Sequence, residues 1–197
     1  MAIVAGVRRQ TVSVLFVDIV GFTTLVDGLD CAEVRALQMD YFAIVSAVVR
    51  EHGGIVEKYI GDAVLAVFGL SSRRPEGDAA AAVGAGLSVQ EAISEVRLAG
   101  RHFVSTRAGV STGEVMVDQA AAHDGGYGMV SGAAVSMAAK LQACAPPDAL
   151  VTCAATRAAS AASVDYQELP PAVVGGTRPV DLFRALVTRT SVSAHAA

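Results

Sequence analysis

Two aspartates in this 197-residue chain stand where carboxylates could do chemistry. Asp18 ends the apolar run TVSVLFVD (11–18), and Asp62 follows Gly61 between the runs IVEKYI (55–60) and AVLAVF (63–68). Hard divalent cations such as Mg²⁺ take oxygen ligands, commonly one or two carboxylates completed by substrate phosphates. If the strands that carry Asp18 and Asp62 are neighbours, the two carboxylates meet at one sheet edge. Gly21 follows Asp18 closely and lets backbone N–H groups approach an anion. Carboxylates beside such a loop suit two-metal phosphoryl transfer. The other reading is that Asp18 and Asp62 are a strand-end and a turn residue, both common places for Asp. Spacing alone leaves the two readings open.

The elements that must hold these residues are legible from periodicity. Residues 11–18 read as a buried strand. Asp30 opens a helix with Glu33 three residues on, in the manner of a capping box. Val34, Leu37, Tyr41, Ile44, Val45 and Val48 recur at helical spacing, and Gly53-Gly54 closes the helix. Gly61-Asp62 between two strand-like runs predicts a two-residue hairpin. A second, Ala-rich helix is expected from Asp78 to about Leu98, then a strand over 102–118 interrupted at Gly113. Ala120 to Gly132 reads as loop and Ala133 to Cys144 as helix, stopped by Pro146-Pro147. Short strands near Leu150–Val151, Val164–Leu169 and Val180–Leu186 complete the chain. Strands and helices alternate first and strands dominate later, which predicts one α/β sandwich with a mixed sheet and no second domain. Residues 1–10 are expected to be flexible and 188–197 a disordered tail around a domain of 11–187.

Composition narrows the function classes. Hydrophobic residues make up 53% and charged residues 17%, but the surplus is alanine. No run approaches the roughly 18 apolar residues of a spanning helix. The start, MAIVAGVRRQ, has its arginines after the apolar residues, the reverse of a secretory signal. A cytoplasmic protein without membrane contact is expected. The net charge of −4 and the absence of Trp leave no basic stripe or stacking platform for nucleic acid. Cys31, Cys144 and Cys153 form no CxxC pair, so neither a disulfide framework nor a zinc knuckle is expected; Cys144 and Cys153 read as small buried hydrophobes. His52, His102, His123 and His195 read as ordinary surface or loop histidines, and Met116, Met129 and Met137 as packing residues. Lys58 and Lys140 are the only lysines beside thirteen arginines.

Four segments, VLFVDIVGFTTL (14–25), GGIVEKYIGDAVLAVFG (53–69), RAGVSTGEVMV (107–117) and VSGAAVSMAAKLQ (130–142), resemble in order the signature segments of the class III nucleotidyl cyclases. GGTRPVDLFRAL (175–186) is similar to the family's closing hairpin, so the resemblance covers about residues 11–187. It implies a ferredoxin-like, palm-type mixed sheet with helices packed on it. It also implies a head-to-tail homodimer that converts ATP, or GTP, to a cyclic 3′,5′-monophosphate and pyrophosphate with two Mg²⁺ or Mn²⁺ ions per site. By the same resemblance, Asp18, Asp62 and the Ile19 carbonyl are metal ligands, and Gly21, Phe22 and Thr23 hold the phosphates. Lys58 is the purine-reading lysine of adenylyl cyclases, and it serves the site whose metals the other chain holds.

Three positions within residues 129–140 depart from the family pattern, and a further one lies near the end. The second purine-reading position falls at Met129, whose thioether is a weak acceptor. The transition-state Asn falls at Ser136 and the transition-state Arg at Lys140. Ser is shorter and needs a bridging water; Lys keeps the charge but loses the planar fork. The Lys-Gly of the closing hairpin reads Val174-Gly175, with Arg178 and Arg184 as the nearby basic residues. The resemblance therefore implies a slow adenylate cyclase, with a dimerising, nucleotide-binding pseudocyclase as the alternative and a purely structural interaction domain as a third reading.

Overall fold

The computed structural model describes residues 6–70, 75–118, 120–121, 128–175 and 178–189. Residues 1–5 of the expected flexible start (1–10), residues 122–127 of the predicted loop with His123, and residues 190–197 of the expected tail (188–197) with His195 lie outside the described residues. Strand β1 (Val7–Ile19) begins ahead of the predicted Thr11 because Val7 to Gln10 pair in register with Val115 to Asp118 of β4 (Thr106–Asp118). Its alternation divides its side chains between two cores. Leu15, Val17 and Ile19 pack under the helices on one face, while Val12 and Val14 pack on the other.

Helix α1 (Phe22–Val26) is a short turn after β1. Helix α2 (Cys31–Glu51) starts where predicted, and Asp30 Oδ1 accepts the N–H groups of Ala32 and Glu33 at 2.8 and 2.9 Å. The capping box is not reciprocal, because Glu33 turns away and accepts His102 Nε2 at 2.9 Å and pairs with Arg101 at 3.1 Å. Leu37, Tyr41, Val45 and Val49 form the buried stripe of α2. Strands β2 (Ile55–Ile60) and β3 (Ala63–Phe68) form the predicted antiparallel hairpin, with Gly61 at φ +65° in the turn. Helix α3 (Pro75–Ser94) starts and ends before its predicted bounds, and β4 runs unbroken through Gly113.

Beyond β4 come β5 (Val130–Ser131), helix α4 (Ala133–Cys144), β6 (Ala149–Cys153), helix α5 (Ala154–Ser160), β7 (Val164–Val173) and β8 (Pro179–Thr188). Sequence reading missed α5, since AATRAAS has no apolar period and buries only Thr156 and Ser160. The sheet order is β2-β3-β1-β4-β6-β8-β7, with β5 beside β4. Neighbours are antiparallel except β4 and β6, so the sheet is mixed as predicted. Helices α2 and α3 cover one face and α4 the other. Thr188 still pairs with Val164, and Arg189 reaches Asp165, so the expected tail begins inside an ordered hairpin. Among the cysteines, Cys144 is exposed, not buried, because it lies on the solvent side of the last turn of α4; Cys153 is half-buried.

Helix α4 lies unusually close to β4. A Cβ on Gly109 would stand 2.3 Å from the Ala138 carbonyl oxygen and 2.3 Å from the Gln142 backbone nitrogen. Both neighbours are helix backbone and cannot rotate away. Gly109→Ala is therefore expected to lift α4, at roughly 3 kcal/mol. In a domain of this size that is an unfolding midpoint about 10 °C lower, read by thermal melt.

Candidate active site

The strand pairings decide which side chains meet. Val17 of β1 pairs with Val64 of β3, which brings the β2–β3 turn beside the end of β1. On the other side Asp18 pairs with Arg107 of β4. Asp62 Oδ2 accepts the Ile19 N–H at 3.2 Å, so Asp18, Ile19 and Asp62 are brought together as predicted. Asp18 Oδ2 accepts Gln142 Nε2 of α4 at 3.0 Å and lies 3.5 Å from Arg107 Nη2. The close seating of α4 on Gly109 puts Gln142 within that reach.

Burial, together with the hydrogen bond and charge of Asp18, raises Asp62 to about 7. Without a cation the Asp62 carboxyl therefore keeps its proton up to near-neutral pH. A divalent cation bound here would displace that proton, and an all-oxygen donor set suits a hard ion. Among the described residues no group of three or more Asp, Glu, His or Cys surrounds one point. The rest of a coordination shell must then come from backbone, water or substrate oxygens.

The raised Asp62 sets the pH dependence. Between its unfolded value near 3.9 and its folded value of about 7, the folded chain holds more protons than the unfolded one. Its stabilising share is complete below the unfolded value and lost as pH rises through about 7. Metal-free chain should melt at lower temperature at pH 8 than at pH 6, and Asp62→Asn should flatten that slope. Mn²⁺ should add more stability at pH 8 than at pH 6.

Sequence reading missed three residues of this site. Arg107 is a half-buried cation beside the carboxylates, and its Nε is buried without a partner. Its position in a strand motif gave no hint that it sits opposite Asp18; only the β1–β4 register does. Gln142 falls inside the expected helix 133–144, with no local signal that it faces Asp18. Tyr41 was read as a core position, and it is fully buried, but its hydroxyl has no partner. Burial and the charges of Asp18 and Asp62 hold that phenol well above its usual range, so it stays neutral beneath the site.

The remaining predicted residues fall into two groups. Gly21, at φ +68°, leads into α1, and no side chain caps this start. The first N–H groups, those of Phe22 and Thr23, are thus left uncapped by side chains beside Asp18. Lys58, Ser136 and Lys140 do not join the carboxylates. Ser136 and Lys140 lie one helical turn apart on α4, whereas Gln142 is about 200° around the helix from Lys140. Lys140 instead lies along Gly175 of the β7–β8 connection, with Nζ 3.5 Å from the Gly175 carbonyl oxygen. Lys58 Nζ is 3.2 Å from Glu57 Oε2. Met129 is a correction. Its side chain is wholly buried among Val12, Val14, Leu65 and Val117, so it packs the core and offers nothing to a ligand.

A family model described as the adenylate and guanylate cyclase catalytic domain matches residues 4–183. An uncharacterized protein of Mycobacterium tuberculosis is 39% identical over 139 residues, 69% of this chain and 24% of that protein. An adenylate cyclase of Anabaena cylindrica is 33% identical over 91 residues, 46% of this chain and 16% of that enzyme. The chain thus spans about a quarter or less of the length of these curated relatives. Among solved structures, the adenylyl cyclase CyaB of P. aeruginosa superposes with a TM-score of 0.82 at 22% identity, covering 95% of this chain and 99% of that one. The guanylyl cyclase Cya2 superposes at 0.80 with 25% identity, covering 95% and 98%. No helix among the described residues is long and apolar enough to cross a membrane.

Proposed function

Because the chain belongs to the adenylate and guanylate cyclase catalytic domain family, we propose that it cyclises a purine nucleoside triphosphate, ATP in preference to GTP, as a head-to-tail homodimer. The observation that carries this reading is the hydrogen bond from the Ile19 N–H to Asp62, which sets Asp62 beside Asp18, with Arg107 next to Asp18. In the reaction the ribose 3′-oxygen bonds to the α-phosphorus, the bond to the bridging oxygen breaks, and pyrophosphate leaves with the electron pair. The 3′-hydroxyl proton is lost.

Asp18, Asp62 and the Ile19 carbonyl would hold Mg²⁺ or Mn²⁺, which supplies Lewis acidity at the phosphates and the 3′-oxygen when bound. The chain's own groups do the rest. Gly21, Phe22 and Thr23 present backbone N–H groups to the phosphates, and Arg107 adds a cation on the same side. From the partner chain, Lys58 faces the base, Lys140 offsets charge developing on the phosphates, and Ser136 orients the ribose through a water. The opposed faces of α4 support this division: Gln142 bonds to Asp18, while Lys140 lies along Gly175. A second reading, a nucleotide-binding dimer without turnover, draws on the same Lys140, since its amine is turned to the Gly175 carbonyl.

The test is cyclic nucleotide formation from ATP and from GTP, with Mn²⁺ and with Mg²⁺. Cyclic AMP that disappears in Asp62→Ala supports the cyclase. No product from either nucleotide under any condition would overturn it in favour of the second reading.

A further inference from the structure

The base-facing side of the site contains one buried charge that the reaction itself does not use. Glu57 is the extra residue of a bulge in β2, where the register with β3 shifts between Val56 and Lys58. Its side chain is completely buried, alone in that strand. Oε1 accepts the Gly128 N–H at 2.8 Å, and Oε2 lies 3.2 Å from Lys58 Nζ. A carboxylate without solvent needs both a donor and a counter-charge, and these two contacts supply them. This is no surface ion pair free to come and go: one partner cannot reach water, and Lys58 is only one-third exposed.

Those contacts join two stretches that are far apart in sequence. Lys58 stands on the hairpin, and Gly128 precedes Met129, the second purine-reading position by resemblance. Met129 is sunk in the core and gives the base neither donor nor acceptor. Discrimination between adenine and guanine then rests on where a single ammonium sits. We propose that Glu57 is a specificity-determining positioning residue: its buried carboxylate fixes the Lys58 ammonium against the nucleobase and ties it to the Gly128–Met129 backbone. The ion pair at 3.2 Å keeps the ammonium beside the buried Oε2, which has no other partner among the described residues. Adenine presents a ring-nitrogen acceptor at its Watson–Crick edge, where guanine presents a ring N–H and an oxygen. An ammonium held in place distinguishes the two edges; one free to wander finds an acceptor on either.

The inference rests on the reading of Lys58 as the base-facing lysine, and the experiment separates the two. The probes are 3′-deoxy-ATP and 3′-deoxy-GTP, which lack the attacking hydroxyl, displacing a fluorescent ATP analogue in the presence of Mn²⁺. The quantity read is the ratio of their affinities. Glu57→Gln keeps the shape and the acceptor for Gly128 but removes the charge. It should lower the ATP-over-GTP ratio by about tenfold, the scale of a half-buried ion pair reduced to an ion–dipole contact. With Lys58→Gln already in place, Glu57→Gln should change the ratio no further, because its effect passes through Lys58. A purely structural Glu57 would lower the unfolding midpoint and weaken both nucleotides alike.

If Lys58→Gln collapses the ratio while Glu57→Gln stays within twofold of wild type, the role of Glu57 is overturned and that of Lys58 stands. If Lys58→Gln itself leaves the ratio unchanged, the base-facing reading fails and Glu57 falls with it. Should Glu57→Gln not fold, Glu57→Asp carries the test. It keeps the charge one methylene short of both partners, and a wild-type ratio there would also overturn the proposal.

Discussion

Asp62→Ala and Lys140→Ala, each silent alone, are expected to recover about a quarter of wild-type activity when mixed in equal amounts and allowed to exchange subunits. The figure is a matter of counting. Random exchange makes half the dimers mixed, and a mixed dimer has one pocket carrying both lesions and one carrying neither. The prediction depends on the carboxylates and Lys140 of one chain serving different pockets, as in the head-to-tail dimer proposed above. If each chain completed its own site, mixing would recover nothing, and the head-to-tail reading would be abandoned. Cyclic AMP formed by the mixture, compared with each variant at the same total concentration, decides it.

The second large effect is a gain. Ser136→Asn with Lys140→Arg should raise turnover by roughly 10²-fold, with little change in KM. A preorganised donor is worth about 10²–10³ in rate, and an arginine on a transferring phosphoryl group more. The present residues supply part of each, so the gain is a fraction of the sum. The arginine has a structural obstacle to clear. Lys140 runs along Gly175 so closely that a Cβ there would stand 2.5 Å from Lys140 Cε. A guanidinium in the same groove needs that glycine to stay as it is. A large rise from a measurable baseline identifies a slow enzyme; activity appearing from none identifies a pseudocyclase rescued. No change in either assay would remove positions 136 and 140 from the catalytic machinery.

The sequence made the frame of this molecule readable because its frame is periodic. The alternation in β1, the stripe of α2 and the Gly61-Asp62 turn are local signals, and each appears close to its expected place. Pairings between distant strands have no such signal. Arg107 became part of the site only through register with Asp18, and Gln142 only because Gly109 admits a helix at contact distance. Met129 shows the opposite failure. Motif position made it a purine reader, whereas its own chemistry, an apolar side chain near a valine-rich face, placed it in the core. Glu57 went unnoticed because a bulge reverses the side on which a strand residue emerges, and periodicity cannot announce its own break.

The β2–β3 hairpin carries Lys58 and Asp62 four residues apart, stiffened at one end by a two-residue turn and in its middle by the buried Glu57 contact. In a head-to-tail pair those two residues belong to opposite pockets. In the proposed dimer, a nucleotide held by Lys58 in one pocket would thus bear on the same hairpin that carries the aspartate of the other.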